Sequence, residues 1–212
     1  MKAFENFPNI KILNFFDINI DLEKYVSKAK LFSKKYVLKS FSSILNEEEF
    51  AKIYMAYNEK GLYFIFDVKT PFTKAFFPEY QRADSIEVFI DTRSLKTKGY
   101  ITKFCHHFVF FAEDIKGYKA REITRFRADD MHAICGSKDL KVDSIVKPKS
   151  YMLDIHIPSF CLTGFNPIDI NYLSFTYRIN RYQMPPQNFS VSSNEHVIEK
   201  SPHLWAKMNL LK

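Results

Sequence analysis

Glycine is scarce in this chain. Five glycines and nine prolines in 212 residues exclude a collagen-like or low-complexity design. Neither a glycine-rich phosphate cradle nor a G-x-S-x-G nucleophile elbow is present. No stretch approaches 18 apolar residues, so no membrane-spanning helix is expected. The opening MKAFENFPNI has no apolar h-region, so no secretory signal is expected either. Cysteine is limited to Cys105, Cys135 and Cys161. An odd, sparse set argues against a disulfide framework and suits a reducing, cytoplasmic setting. Cys105 and Cys161 lie in apolar stretches and read as small hydrophobes. Tryptophan occurs once, as Trp205.

What the chain does have is phenylalanine and tyrosine, 22 and 12 of them, within an aromatic content of 17%. Such side chains favour pleated, half-buried surfaces and point to β structure. Hydrophobic residues at 46% and charged ones at 26% match a globular domain with one sizeable core. Lys and Arg exceed Asp and Glu by 31 to 24, a net +7. That excess permits an anionic partner without requiring one.

The hydrophobic period divides the chain. Leu22, Tyr25, Val26, Ala29 and Phe32 keep helical spacing, which predicts one short helix over 22–32. Six lysines lie between Lys24 and Lys39 with no acid, either a solvated face or a polyanion patch. Residues 46–49 read as a polar loop. Beyond it the period becomes two. Residues 52–57 and 62–68 flank the turn Asn58-Glu59-Lys60-Gly61 and predict a β-hairpin. Leu62, Phe64, Phe66 and Val68 share one face, with Tyr63, Ile65, Asp67 and Lys69 on the other. Pro71 ends that strand. In 85–91, Ile86, Val88 and Ile90 oppose Ser85, Glu87, Phe89 and Asp91. Further strands are expected at 104–112, 131–135, 151–157 (closed by Pro158), 173–179 and 204–211. Many short strands with one early helix predict a mainly β, antiparallel sandwich of the immunoglobulin or jelly-roll kind. Residues 1–48 are expected as an extension packed on or joined to a sandwich of residues 49–212.

The succession GLYFIFDVKTP, ADSIEVFID, FCHHFVFF, YMLDIHIP, LSFTYRIN and SPHLWAKMNL resembles the family 9 carbohydrate-binding modules, within the wider DOMON-like group. The likeness covers roughly residues 50–212, and Asp84–Asp91 is its most specific piece. It implies a non-catalytic binding module of two antiparallel sheets, with no cofactor. Sugar-binding members hold a terminal sugar between two tryptophans. This chain has Gln81 at the first position, beside Tyr80, and falls near Val191 at the second, beside Phe189. The resemblance places Trp205 in the core. It implies ligand contacts at Lys69, Glu87, Arg178 and Asn180. Thr70 and Arg181 stand where the family has aspartates. A family arginine falls near His106 or His107, according to register. Family calcium ligands find no match.

Each feature has a plainer reading. Glu87 could lie on a solvated face, with Lys69 a weak surface ion-pair partner. His106 and His107 are adjacent in a strand and face opposite sides, so they cannot jointly hold a metal. Asp129, Asp130 and His132 read as a solvated loop without calcium-ligand spacing. Alternation aligns Arg121, Arg125 and Arg127 opposite Phe126, as a solvated face or an anion site. The expected function is therefore binding of a small polar or glycan ligand by Glu87, Lys69, His107, Arg178 and Asn180, with Tyr80 and Gln81 at the rim. The alternatives are a degenerate module serving protein assembly, or polyanion binding. Catalytic residues and a metal site are not expected, nor is a nucleic-acid partner.

Overall fold

A computed structural model describes residues 17–126 and 129–212. The strands are β1 (Asn19–Leu22), β2 (Ala51–Asn58), β3 (Gly61–Val68), β4 (Ser85–Asp91), β5 (Cys105–Ile115), β6 (Tyr118–Glu122), β7 (Lys141–Lys147), β8 (Ser150–Pro158), β9 (Tyr172–Arg181), β10 (Met184–Asn188) and β11 (Ala206–Leu210). They form two sheets. One runs β1-β11-β9-β4-β5-β6, with β10 also paired to β9; the other runs β2-β3-β8-β7. All pairings are antiparallel except β1 with β11. This is the mainly β sandwich that the period-two patterning predicts.

The core lies between the sheets and is built from the alternate residues of their strands. Ile86, Val88 and Ile90 of β4 meet Leu62, Phe64, Phe66 and Val68 of β3 within one buried cluster. Phe64 stacks on Phe175 at 5.6 Å, and the Phe66 ring stands edge-on to Tyr177. The acids that bracket β4 hold its ends. Asp84 accepts from the backbone N–H groups of Thr73, Lys74 and Tyr182. Asp91 accepts from those of Arg93 and Leu95. The Asp-Ser-Ile-Glu-Val-Phe-Ile-Asp segment is therefore a strand stapled at both ends, which fixes where Glu87 points.

The hairpin turn depends on Gly61. Its φ is +137°, and a Cβ there would lie 2.1 Å from the Ile157 carbonyl oxygen. Gly61→Ala is expected to destabilise the protein by about 2 kcal/mol or more, since both strain and overpacking follow. A urea unfolding midpoint equal to wild type would refute this.

The N-terminal part departs from the predicted helix. Leu22 ends a strand paired with Leu210, and α1 is one turn, Lys28–Leu31. Sheet pairing overrides the helical spacing, and Val26 and Phe32 remain exposed. A second one-turn helix, α2 (Ser42–Leu45), ends at left-handed Asn46. Residues 24–37 cross the outer face of β2, where Leu31 and Tyr36 bury Tyr54, Ala56 and Ile65. The lysines here are dispersed: Lys24 pairs with Glu59, Lys35 with Glu23, and Lys28 with Asp143 and Asp154.

Other expectations are corrected. Residues 131–135 form no strand, and Met131 and Ile134 are exposed. The backbone there runs as an irregular connection, whereas the edge strand is the polar β7 that follows. Cys135 and Cys161 form a disulfide, so Cys161 is a cross-link and not a lone hydrophobe. Their sequence contexts carry no trace of a proximity that only the closed sandwich creates. Cys105 is free and buried, and burial pushes its thiol up to about 12. No helix among the described residues is long and apolar enough to cross a membrane.

Candidate functional site

The outward face of β4 carries Glu87 and Phe89. Register places Arg178 of β9 directly opposite Glu87, and His107 of β5 opposite Phe89. Asn180 lies one step diagonally along β9, within reach of a carboxylate. Four of the expected site residues therefore converge as the alternation requires.

Their bonding differs from the expectation. The Arg178 guanidinium donates Nε to Glu87 Oε1 at 2.7 Å and Nη2 to Oε2 at 2.8 Å. Asn180 Nδ2 donates to Oε1 at 2.7 Å. His107 Nε2 lies 2.8 Å from Oε2. A carboxylate offers about four lone-pair sites, and protein donors occupy all of them. Glu87 is 0% exposed. It cannot accept hydroxyl hydrogens from a ligand; it positions Arg178, Asn180 and His107. Burial pushes its carboxyl up, but the His107 hydrogen bond and the Arg178 charge outweigh that and hold it at about 2. Arg178 is in turn raised: burial opposes its charge, and Glu87 more than offsets the cost.

An ionised Glu87 can only accept, so His107 donates through Nε2. The ring stacks on Phe89 at 4.1 Å. Asn180 also donates to Ser85 Oγ, which donates to the Tyr80 carbonyl at 2.6 Å. This chain of bonds fixes the turn Tyr80–Arg82 over the cluster.

Above it opens a cleft of about 790 Å³, lined by Tyr80, Gln81, Tyr100, His107, Phe126, Glu199 and Trp205 among others. Burial and then the Glu87 charge push the Tyr80 phenol up to about 12, so it stays a neutral donor. Tyr80 and Gln81 lie at the cleft as expected. Gln81 Nε2 donates to Glu199 Oε1 at 3.1 Å, and Arg178 Nη2 stands 3.6 Å from that same oxygen. Glu199 is the partly exposed acceptor that the sequence did not reveal. It sits on the turn Ile198–Lys200, which Trp205 pins by donating Nε1 to the Ile198 carbonyl. No local pattern marks it, because the 17-residue connection between β10 and β11 (residues 189–205) carries it there.

Lys69 does not join the group. It ends the hairpin in the opposite sheet, is 61% exposed at its side chain and pairs with Asp67 at 2.6 Å. Trp205 is buried, with Phe89, Val191 and Ile198, in a satellite cluster under the cleft and not between the sheets. Phe189 packs on Tyr177 inside the core, so it offers no plane to a ligand. β6 ends at Glu122, so Arg121 and Arg125 do not share a strand face; Arg127 lies outside the described residues. The two histidines do face opposite sides. His106 turns inward beside Phe108 and bonds Glu122. His132 is not a solvated loop residue: its Nε2 lies 2.7 Å from Glu122 Oε1, with its side chain 4% exposed.

Neither any protein-family model nor any curated protein sequence matches the chain. Solved structures do. A family 9 carbohydrate-binding module from Caldicellulosiruptor kristjanssonii, in complex with cellotriose, is similar over 90% of this chain and 92% of its own, with a TM-score of 0.62 and 14% identity. A structure from the same organism and family, in complex with glucose, covers 91% and 95% with a TM-score of 0.58 and 14% identity. A protein from Bacteroides uniformis aligns at a TM-score of 0.52 and 7% identity, over 91% of this chain and 98% of its own. The fold is thus that of the family 9 carbohydrate-binding modules.

Proposed function

We propose that the chain is a non-catalytic module that takes a small glycan in the cleft above Glu87. The observation that carries the reading is the saturated Glu87 network. A buried carboxylate is costly unless every partner is in place. Here that cost holds rigid the polar floor of a cleft walled by aromatic rings. A pyranose needs such a pairing: a flat ring for its C–H face and fixed partners for its hydroxyls. The sandwich of modules solved with cellotriose and glucose supports it.

Roles follow from the bonding. Tyr80 and Tyr100 offer planes and hydroxyl donors. Glu199 accepts, and Gln81 donates at the rim. Calorimetry with glucose, cellotriose and a panel of neutral oligosaccharides tests the reading. Tyr80→Ala is expected to weaken binding about tenfold, and Glu199→Gln by about 10- to 100-fold through a lost charge-assisted bond. Binding unaffected by both variants would place the ligand elsewhere. An intact fold with no sugar bound would favour the assembly-domain reading, for which the missing tryptophans at Gln81 and Val191 speak.

A further inference from the structure

On the inner side of β5, three donors converge from three segments. They are His106 on β5, Glu122 at the end of β6, and His132 on the irregular connection before β7. Their ligand atoms all lie within 4.8 Å of one another. The side chains of His106 and Glu122 are fully buried, and that of His132 is nearly so.

The hydrogen positions create a conflict. His132 Nδ1 lies 2.6 Å from the Lys103 carbonyl oxygen, which can only accept, so Nδ1 carries the proton. In a neutral ring Nε2 then bears a lone pair. That lone pair faces Glu122 Oε1 at 2.7 Å, one acceptor against another. The same oxygen also meets His106 Nδ1 at 2.9 Å and the Thr124 hydroxyl at 2.8 Å. Three neighbours crowd an atom with about two lone pairs. Glu122 Oε2 is separately engaged by the Cys135 backbone N–H at 2.6 Å. A positive centre between Nε2 and Oε1 removes the conflict, and a metal ion there also takes up His106.

We propose that His106, Glu122 and His132 hold a divalent transition-metal ion, with Zn²⁺ the best match. Two imidazole nitrogens and one carboxylate suit zinc and not calcium or magnesium, which prefer oxygen alone. The Lys103 carbonyl fixes the tautomer of His132 as outer partners of zinc-bound histidines do. Burial excludes substrate, so the role is structural. The ion fastens residues 129–140 to the end of the sandwich, on the stretch that the Cys135–Cys161 bond also anchors. Phe126, which lines the cleft, stands edge-on to His132 with ring centroids 4.6 Å apart.

The test uses the untagged full chain, stripped by chelator and titrated with Zn²⁺ and Co²⁺. One equivalent of Zn²⁺ should bind, and Co²⁺ should give the visible absorption of a low-symmetry nitrogen–oxygen site. His132→Ala and Glu122→Gln should each weaken Zn²⁺ binding by about 100-fold or more, beyond the usual loss for an outer partner. His156→Ala, on the far sheet, should leave it unchanged. If a variant fails to fold, the wild-type Co²⁺ spectrum and stoichiometry still decide. Absence of stoichiometric Zn²⁺, or affinity insensitive to His132→Ala, overturns the proposal.

Discussion

Glu87→Ala is expected to lower the unfolding free energy by about 3–5 kcal/mol, the usual cost of removing one partner from a buried ion pair. The loss does not arise from a missing contact alone. Arg178 would stay buried with its bidentate partner gone and, among the described residues, Glu199 at 3.6 Å as its remaining ion-pair partner. Asn180 and His107, both largely buried, would each lose an acceptor. Glu87→Gln retains the shape and one oxygen but not the charge, and should fall between. Lys69→Ala, at an exposed pair, should stay within about 0.5 kcal/mol of wild type. Urea unfolding followed through the fluorescence of buried Trp205 reads all three. A Glu87→Ala loss below about 1 kcal/mol would mean that the network is not formed as described.

Acid should remove the same contribution. The Glu87 carboxyl sits at about 2 in the folded protein against an ordinary 4.5. A depressed folded value means stability that is fully present above about 4.5 and is lost as pH falls toward 2. The unfolded chain takes up the proton first. The shift corresponds to a loss of about 3 kcal/mol across that window. Urea midpoints measured between pH 6 and pH 2 should decline steeply in wild type. Glu87→Gln should start lower and decline less. Parallel wild-type and variant curves would show that Glu87 is not the group being titrated.

Much of the site was readable along the chain. Alternation in 85–91 separates Glu87 from Ile86 and Val88, and alternation in 173–181 puts Arg178 and Asn180 on one face. Tyr80 and Gln81 stand close enough to β4 in sequence to follow it. Lys69 was misplaced for a related reason. Its strand was right, but only the pairing of sheets shows that it lies across the sandwich from Glu87. His132 was read as solvated because nothing in Asp129–His132 points to Glu122. The disulfide and Glu199 were invisible on the same ground.

Side-chain alternation is a covalent property of an extended backbone, so within a strand the two faces and the residues able to share a surface follow from residue order alone. Whether Glu87 is free or saturated is not. Its carboxylate is filled by donors up to 93 residues away, so its chemical role exists only once β4, β5 and β9 lie side by side. The closure of the sandwich turned an expected ligand acceptor into the buried post on which the cleft floor rests, and set Glu199 and His132 where chemistry can use them.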